Sequence, residues 1–305
     1  MPDHTRAGHR HPLHDYRSRS IYMITIVGTG RSGPFARITH TGIPRSLWTP
    51  LGHCIADSMS EIMGLDKRLQ ILSSVIMPDH FHFVIFAREP LDRHIGYYIS
   101  RIKGLATSRI RLTSGTPQLQ VFEPDYHDRI LRGRNQLSAM INYVNDNPRR
   151  YAIKRDNPGY FTKVRSLAIG SDRFEAFGNL FLLDDFDRMP VRIHRCWSSD
   201  ELNHARNDWR LCAINGGTLV SPFIHPVEKE VMLEAVNSGA RIILLTNEHF
   251  GERFKPSGRY FDLCASGRLL ILRPTDLPTT TYEARITRTE ALALNDCASR
   301  LCNPR

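Results

Sequence analysis

A chain of 305 residues, 41% hydrophobic and 24% charged, can bury two ordinary cores and has the composition of a globular, water-soluble protein. Its apolar runs fall well short of a membrane span and its first residues lack the apolar centre of a signal peptide, so a cytoplasmic location is expected. The formal net charge of +10 is uneven: residues 1–165 carry 24 Lys/Arg against 13 Asp/Glu, and residues 166–305 carry 17 against 18. An excess confined to one half favours a polyanionic partner, most simply nucleic acid, over mere solubility.

Residues 1–18 are rich in His, Arg and Pro without periodicity and read as a disordered basic arm. Residues 22–27 form a strand candidate closed by Gly28-Thr29-Gly30, which read as turn residues, since nothing around them resembles a dinucleotide loop. Ile55, Met59, Ile62 and Met63 fall at i, i+4, i+7, i+8 and predict a helix over 51–63. A second strand is expected over 69–76.

It is followed by Met77-Pro78-Asp79-His80-Phe81-His82-Phe83-Val84-Ile85-Phe86, a turn and then a buried strand. Alternation puts His80 and His82 on one face and Phe81, Phe83 and Ile85 on the other. Two imidazoles on one face of a rigid element can hold a divalent metal with positions to spare; packed, hydrogen-bonded histidines are the structural alternative. Residues 91–112 look helical, with Arg101, Lys103, Arg109 and Arg111 mostly off the apolar stripe, where they make a solvated face or phosphate contacts. Residues 121–131 are a mixed segment.

A further helix is expected over 136–147, capped by Asn135, with Leu137, Met140, Ile141 and Val144 as its stripe and Pro148 ending it or closing its last turn. Tyr143 and Asn147 are four apart, one turn above the other at the stripe's edge. If the stripe packs on the sheet, the phenol and the carboxamide reach its margin and can meet the histidines.

His80-Phe81-His82 followed by Tyr143-Val144-Asn145-Asp146-Asn147-Pro148 resembles the REP-associated tyrosine transposases, single-tyrosine members of the HUH nucleases. Lys103-Gly104 and Asp125-Tyr126-His127-Asp128-Arg129-Ile130 also resemble that family's motifs, and the likeness spans roughly residues 18–160. It implies an α+β sandwich, an antiparallel sheet with helices, over residues 19–165. It also implies His80, His82 and Asn147 as metal ligands and Tyr143 as nucleophile. Asp79 departs from the family, which often has Asn there, and so does the long C-terminal extension. On this reading Arg101, Lys103, Arg109, Arg129, Arg132, Arg134 and Arg149 are candidate DNA contacts.

The chemistry is coherent in its own terms. A phenol with a pKa of about 10 is poorly ionised at neutral pH, and a nearby Mg²⁺ or Mn²⁺ favours its phenolate and polarises a phosphate. Mn²⁺ tolerates imidazole better. The expected product is a 5′-phosphotyrosine with a free 3′-OH, on single-stranded DNA beside a hairpin. Tyr126 is a rival nucleophile without a helical Asn partner. His127 is either a proton shuttle or packing. A non-catalytic DNA-hairpin binding regulator and a phosphodiesterase using water remain alternatives.

Residues 166–305 read as a separate Rossmann-like α/β domain. Strands are expected over 191–194, 216–221, 241–245 and 269–272, and helices over 202–211 and 226–236. Thr287 and Glu290 form a capping box for a terminal helix. The 221–225 loop, between a strand end and a helix N-terminus, is a candidate phosphate site without a glycine fingerprint. The six cysteines have no Cys-x-x-Cys pair and read as thiols.

Overall fold

The computed structural model describes residues 11–302, apart from 12, 31–33, 40, 132, 134, 195, 252–253, 257 and 278–285. Its contacts divide the chain into two units, 1–153 and 154–305. The division falls earlier than the expected 165, a position that lies inside a strand of the second unit. On this division the first unit holds 20 Lys/Arg against 12 Asp/Glu and the second 21 against 19. The charge excess stays with the first unit, but part of it moves with the end of a helix.

The first unit runs β1 (Ser20–Val27), β2 (Ala36–Ile38), β3 (Ser46–Trp48), α1 (Pro50–Gly64), β4 (Leu69–Ile76), β5 (His80–Ala87), α2 (Ile95–Ser114), β6 (His127–Ile130) and α3 (Asn135–Asp156). Its main sheet has the order β4-β5-β1-β6 and is antiparallel throughout. Strand β5 is central, and alternation divides its side chains as the sequence predicts. Phe81, Phe83 and Ile85 join Ile24 and Ile26 in a core covered by α1 and α2. Val84 faces the other way, into a smaller core with Met140, Val144 and Ala152 of α3. The antiparallel sheet with helices matches expectation; helices cover both of its faces.

Helix α1 starts where Thr49 accepts a hydrogen bond from Gly52 N, with Pro50 at its first position. Strand β6 was not legible in the mixed segment, because His127, Asp128 and Arg129 are polar. It exists because it completes the β1 ladder, Tyr22 opposite Ile130 and Thr25 opposite His127. The β2–β3 hairpin was likewise unforeseen. Residues 13–18, expected within a structureless arm, are tied down. Tyr16 Oη donates to Asp128 Oδ2 at 2.8 Å, and its ring stacks on Tyr22. Residues 1–10 and 12 of that arm lie outside the described residues.

Helix α3 corrects the expected stop at Pro148, continuing to Asp156 with the proline inside. A proline removes the N–H that the carbonyl four residues back, Val144, would accept. Here the Asn147 Nδ2 donates to Tyr143 O at 2.7 Å and reaches Val144 O at 3.5 Å, so a side chain supplies the missing donor beside the proline.

The second unit runs β7 (Thr162–Ile169), β8 (Asp172–Gly178), β9 (Arg188–Pro190), α4 (Ser199–Ile214), β10 (Thr218–Ser221), α5 (Pro226–Asn237), β11 (Arg241–Leu245), α6 (Arg259–Ala265), β12 (Leu269–Pro274) and α7 (Arg288–Cys302). Its sheet order is β7-β8-β12-β11-β10-β9. The run from β9 to β12 is parallel, while β7 and β8 are antiparallel additions that the sequence did not suggest. Helices α4, α5 and α6 line one face and α7 the other. The edge strand β9 precedes its expected position, 191–194; Val191 is buried beyond the strand end. The Thr287–Glu290 capping box is present. The six cysteines are free thiols. Among the described residues no helix is long and apolar enough to cross a membrane.

Candidate active site

Strand register builds the site before any side chain is considered. In an antiparallel pair, directly opposed residues share a face. Thr25 of β1 lies opposite both His82 of β5 and His127 of β6, so the three form one cross-strand row on the face that α3 occupies. Val27 lies opposite His80 in the next row on that face. The turn before His80 is held from below. Gly28 N donates to Asp79 O at 2.8 Å, and a Cβ at Gly28 would lie 2.6 Å from the Phe35 ring, so only glycine fits this approach.

The His80 and His82 rings meet edge to face, centroids 4.7 Å apart. Helix α3 brings the Tyr143 ring to 5.7 Å from His82, also edge to face. His82 is 6% exposed and Asn147 8%, His80 is half-buried and Tyr143 is 37% exposed, so the site opens toward solvent at Tyr143. The residues expected to converge from separate stretches, His80, His82 and Tyr143, therefore do so. Asn147 follows Tyr143 one turn later on the same helix.

Each imidazole is oriented through Nδ1. His80 Nδ1 donates to Asp79 Oδ1 at 2.7 Å, and His82 Nδ1 is hydrogen-bonded to Thr25 Oγ1 at 2.8 Å. Metal-binding histidines commonly engage one ring nitrogen in this way and ligate through the other. The Asn147 amide nitrogen is committed to helix carbonyls, so its oxygen is the atom that could meet a cation. Two imidazoles and an amide oxygen suit a borderline-hard divalent ion. The donor set thus fits Mg²⁺ or Mn²⁺. Among the described residues no group of three or more His, Cys, Asp or Glu side chains forms a metal cluster.

The basic candidates are distributed unevenly. Arg129 is exposed on β6, opposite Met23 and hence on the histidine face. Arg149 on α3 is ion-paired with Asp146 at 2.5 Å. Helix α2 covers the opposite face of the sheet, and its cations have local partners. Arg109 bonds Ser58 Oγ and pairs with Glu61 at 2.6 Å, joining α2 to α1. Lys103 Nζ donates to the Glu123, Pro124 and Asp125 carbonyls at 2.6–3.3 Å, and burial holds its pKa below the ordinary lysine value. Arg101 lies over its neighbour Tyr97. Arg132 and Arg134 lie outside the described residues.

Two neighbours were missed by sequence reasoning. Arg150 places its guanidinium carbon 5.6 Å from the Tyr143 ring centroid, and Thr25 buttresses His82. The Tyr143–Arg150 spacing of seven is a legible helical signal. Thr25 had none, because cross-strand register is not written in one strand.

In the second unit the 221–225 loop is occupied by the protein's own carboxylate. Buried Glu228 accepts from Ile224 N at 2.9 Å, His225 N at 3.0 Å and Ile193 N at 3.2 Å. The donors that a phosphate would use there are engaged.

No protein-family model matches the chain, and no curated protein matches it significantly. Among solved structures it is similar to a REP-associated tyrosine transposase bound to a REP hairpin, with 13% identity over 47% of this chain and 74% of that one, at a TM-score of 0.36. It is similar as well to a Deinococcus radiodurans R1 protein provisionally named a transposase, with 13% identity over 42% of this chain and 90% of the other, at a TM-score of 0.30. Each likeness covers about half of this chain.

Proposed function

We propose that the chain is a metal-dependent single-stranded DNA endonuclease and strand transferase, a transposase acting at hairpin-associated sites, with Tyr143 as nucleophile. One observation carries the reading: the Tyr143 ring lies 5.7 Å from His82, whose ring lies 4.7 Å from His80. A phenol at the rim of a paired-imidazole site is what in-line attack on a phosphodiester needs, an oxygen nucleophile fixed beside the groups that compensate phosphoryl charge. A bound Mg²⁺ or Mn²⁺, held by His80, His82 and Asn147, would favour the phenolate and polarise the phosphoryl oxygens.

Tyr143 Oη forms the new bond to phosphorus as the bond to O3′ breaks. The phenol loses its proton, the departing strand gains one as its 3′-OH, and no electrons are exchanged. The 5′-phosphotyrosine ester keeps the phosphodiester energy, so another 3′-OH can reseal it. The basic first unit would meet the DNA backbone, with Arg129 on the reacting face. The second unit, read as Rossmann-like from its parallel β9–β12 run, would position DNA or a partner, and the protein would work in the cytoplasm.

The test is incubation with labelled single-stranded oligonucleotides and Mn²⁺, followed by denaturing electrophoresis. A denaturation-resistant protein–DNA adduct is expected, absent in Tyr143→Phe. Cleavage without an adduct would assign the reaction to water, and binding without cleavage would assign a regulator. His80→Ala is expected to remove metal-dependent cleavage while keeping much of the salt-sensitive binding; equal loss of both counts against the ligand assignment.

A further inference from the structure

We infer that Arg150 is the phosphate-binding group on the helix side of this site, holding the scissile phosphate before transfer and the phosphotyrosine ester after it. The inference rests on the proposed role of Tyr143 and adds a residue to it. At 100° per residue, positions 143, 147 and 150 of α3 fall within an arc of about 60°, so phenol, carboxamide and guanidinium share one stripe. Position 149 points away from that stripe, and Arg149 is indeed engaged with Asp146, three residues back. Of the two adjacent arginines it is Arg150 that lies over the nucleophile's ring, at 5.6 Å.

A guanidinium so placed is within side-chain reach of whatever is bonded to Tyr143 Oη. When the O–P bond forms and the P–O3′ bond breaks, the non-bridging oxygens keep a negative charge in both the diester and the phosphotyrosine ester. Arg meets such oxygens with a planar fork of donors, which makes it the better residue for a bidentate phosphate contact. The histidines approach the reacting group from the sheet; Arg150 approaches it from the helix. The charge is thereby met from two sides of the ring.

The experiment uses the full chain with labelled single-stranded oligonucleotide and Mn²⁺, comparing wild type, Arg150→Gln, Arg150→Lys and, as a control late in the same helix, Arg155→Gln, whose arginine pairs with Asp156. Adduct formation under saturating DNA and the DNA dissociation constant are measured separately, with thermal unfolding as the folding control. Arg150→Gln is expected to slow adduct formation roughly 100-fold or more, as loss of one donor to a developing anion does. Its DNA affinity should fall only a few-fold. Arg150→Lys should recover part of the rate, and Arg155→Gln should stay near wild type. Rejoining of purified adduct to a 3′-OH strand should slow in parallel in Arg150→Gln, since the same oxygens are held in reverse. A wild-type adduct with Arg150→Gln at the wild-type rate overturns this inference and leaves the nucleophile standing. It is overturned equally if Lys gives no recovery, or if the two arginine-to-glutamine variants are equally slow. No adduct in wild type overturns both.

Discussion

Asp79 shows how a single atom's placement can set a site. The sequence marks it only as a departure from a motif that often has Asn. In the folded chain its Oδ1 lies 2.7 Å from His80 Nδ1. A carboxylate at that position fixes the tautomer that presents Nε2 and sets a negative charge behind the ring; an amide oxygen fixes it with less charge. Asp79→Ala is therefore expected to weaken Mn²⁺ binding roughly 10–100-fold, with Asp79→Asn between it and wild type. Titration calorimetry with Mn²⁺ alone reads this without any reaction. Thr25→Val should weaken the metal by less, because a neutral hydroxyl orients His82 without adding charge. Unchanged affinity in Asp79→Ala would reduce its contact with His80 to a surface ion pair.

At the scale of elements, legibility followed burial pattern. β4, β5 and β11 were readable because apolar and β-branched runs leave few other places for those side chains. β6 and β9 were not, since each owes its existence to a neighbour's unpaired ladder. α3 escaped its expected end because Asn147 donates to carbonyls beside Pro148, a compensation that no propensity rule contains. The pairing of His80 with His82 was legible from alternation; their meeting with Tyr143 required the sheet and helix together. Another inter-element tie has a measurable consequence. Asp66, after α1, accepts from Arg68 Nε at 2.9 Å, Arg68 Nη2 at 2.8 Å and Tyr98 Oη of α2 at 2.6 Å. The Arg68 bonds chiefly, with help from Tyr98, hold its carboxyl well below the ordinary carboxylate range, while burial and the Asp66 bond push the Tyr98 phenol up to about 12. With a lowered folded pKa, Asp66 binds its proton more readily in the unfolded chain. Its stabilisation is complete above the unfolded value of about 4 and is lost as pH falls below it. Asp66→Asn should cost about 2 kcal/mol at pH 7 in urea unfolding, and the gap from wild type should narrow between pH 5 and pH 2.5. A gap independent of pH would mean that the carboxylate's charge contributes nothing.

For the whole molecule, net charge says that a polyanion is attracted, while topology decides where it lands. The first unit carries most of the excess, yet its cations are divided by the sheet into two populations. Those of α2 are largely committed to protein partners, Arg109 to Glu61 and Lys103 to three carbonyls. Arg129 stands exposed in the cross-strand pattern of the histidine face. A backbone-tracking contact releases counterions, so its loss lowers the salt dependence of binding as well as the affinity. Arg129→Gln should reduce the slope of log affinity against log salt by about 0.7 on single-stranded DNA, the increment for one phosphate. Arg101→Gln, on the opposite face, should leave the slope within error, although the two substitutions change the net charge identically. A general electrostatic attraction would make the two variants equivalent. The salt titration therefore separates a field that merely gathers DNA from a face that holds it where Tyr143 can reach a phosphate.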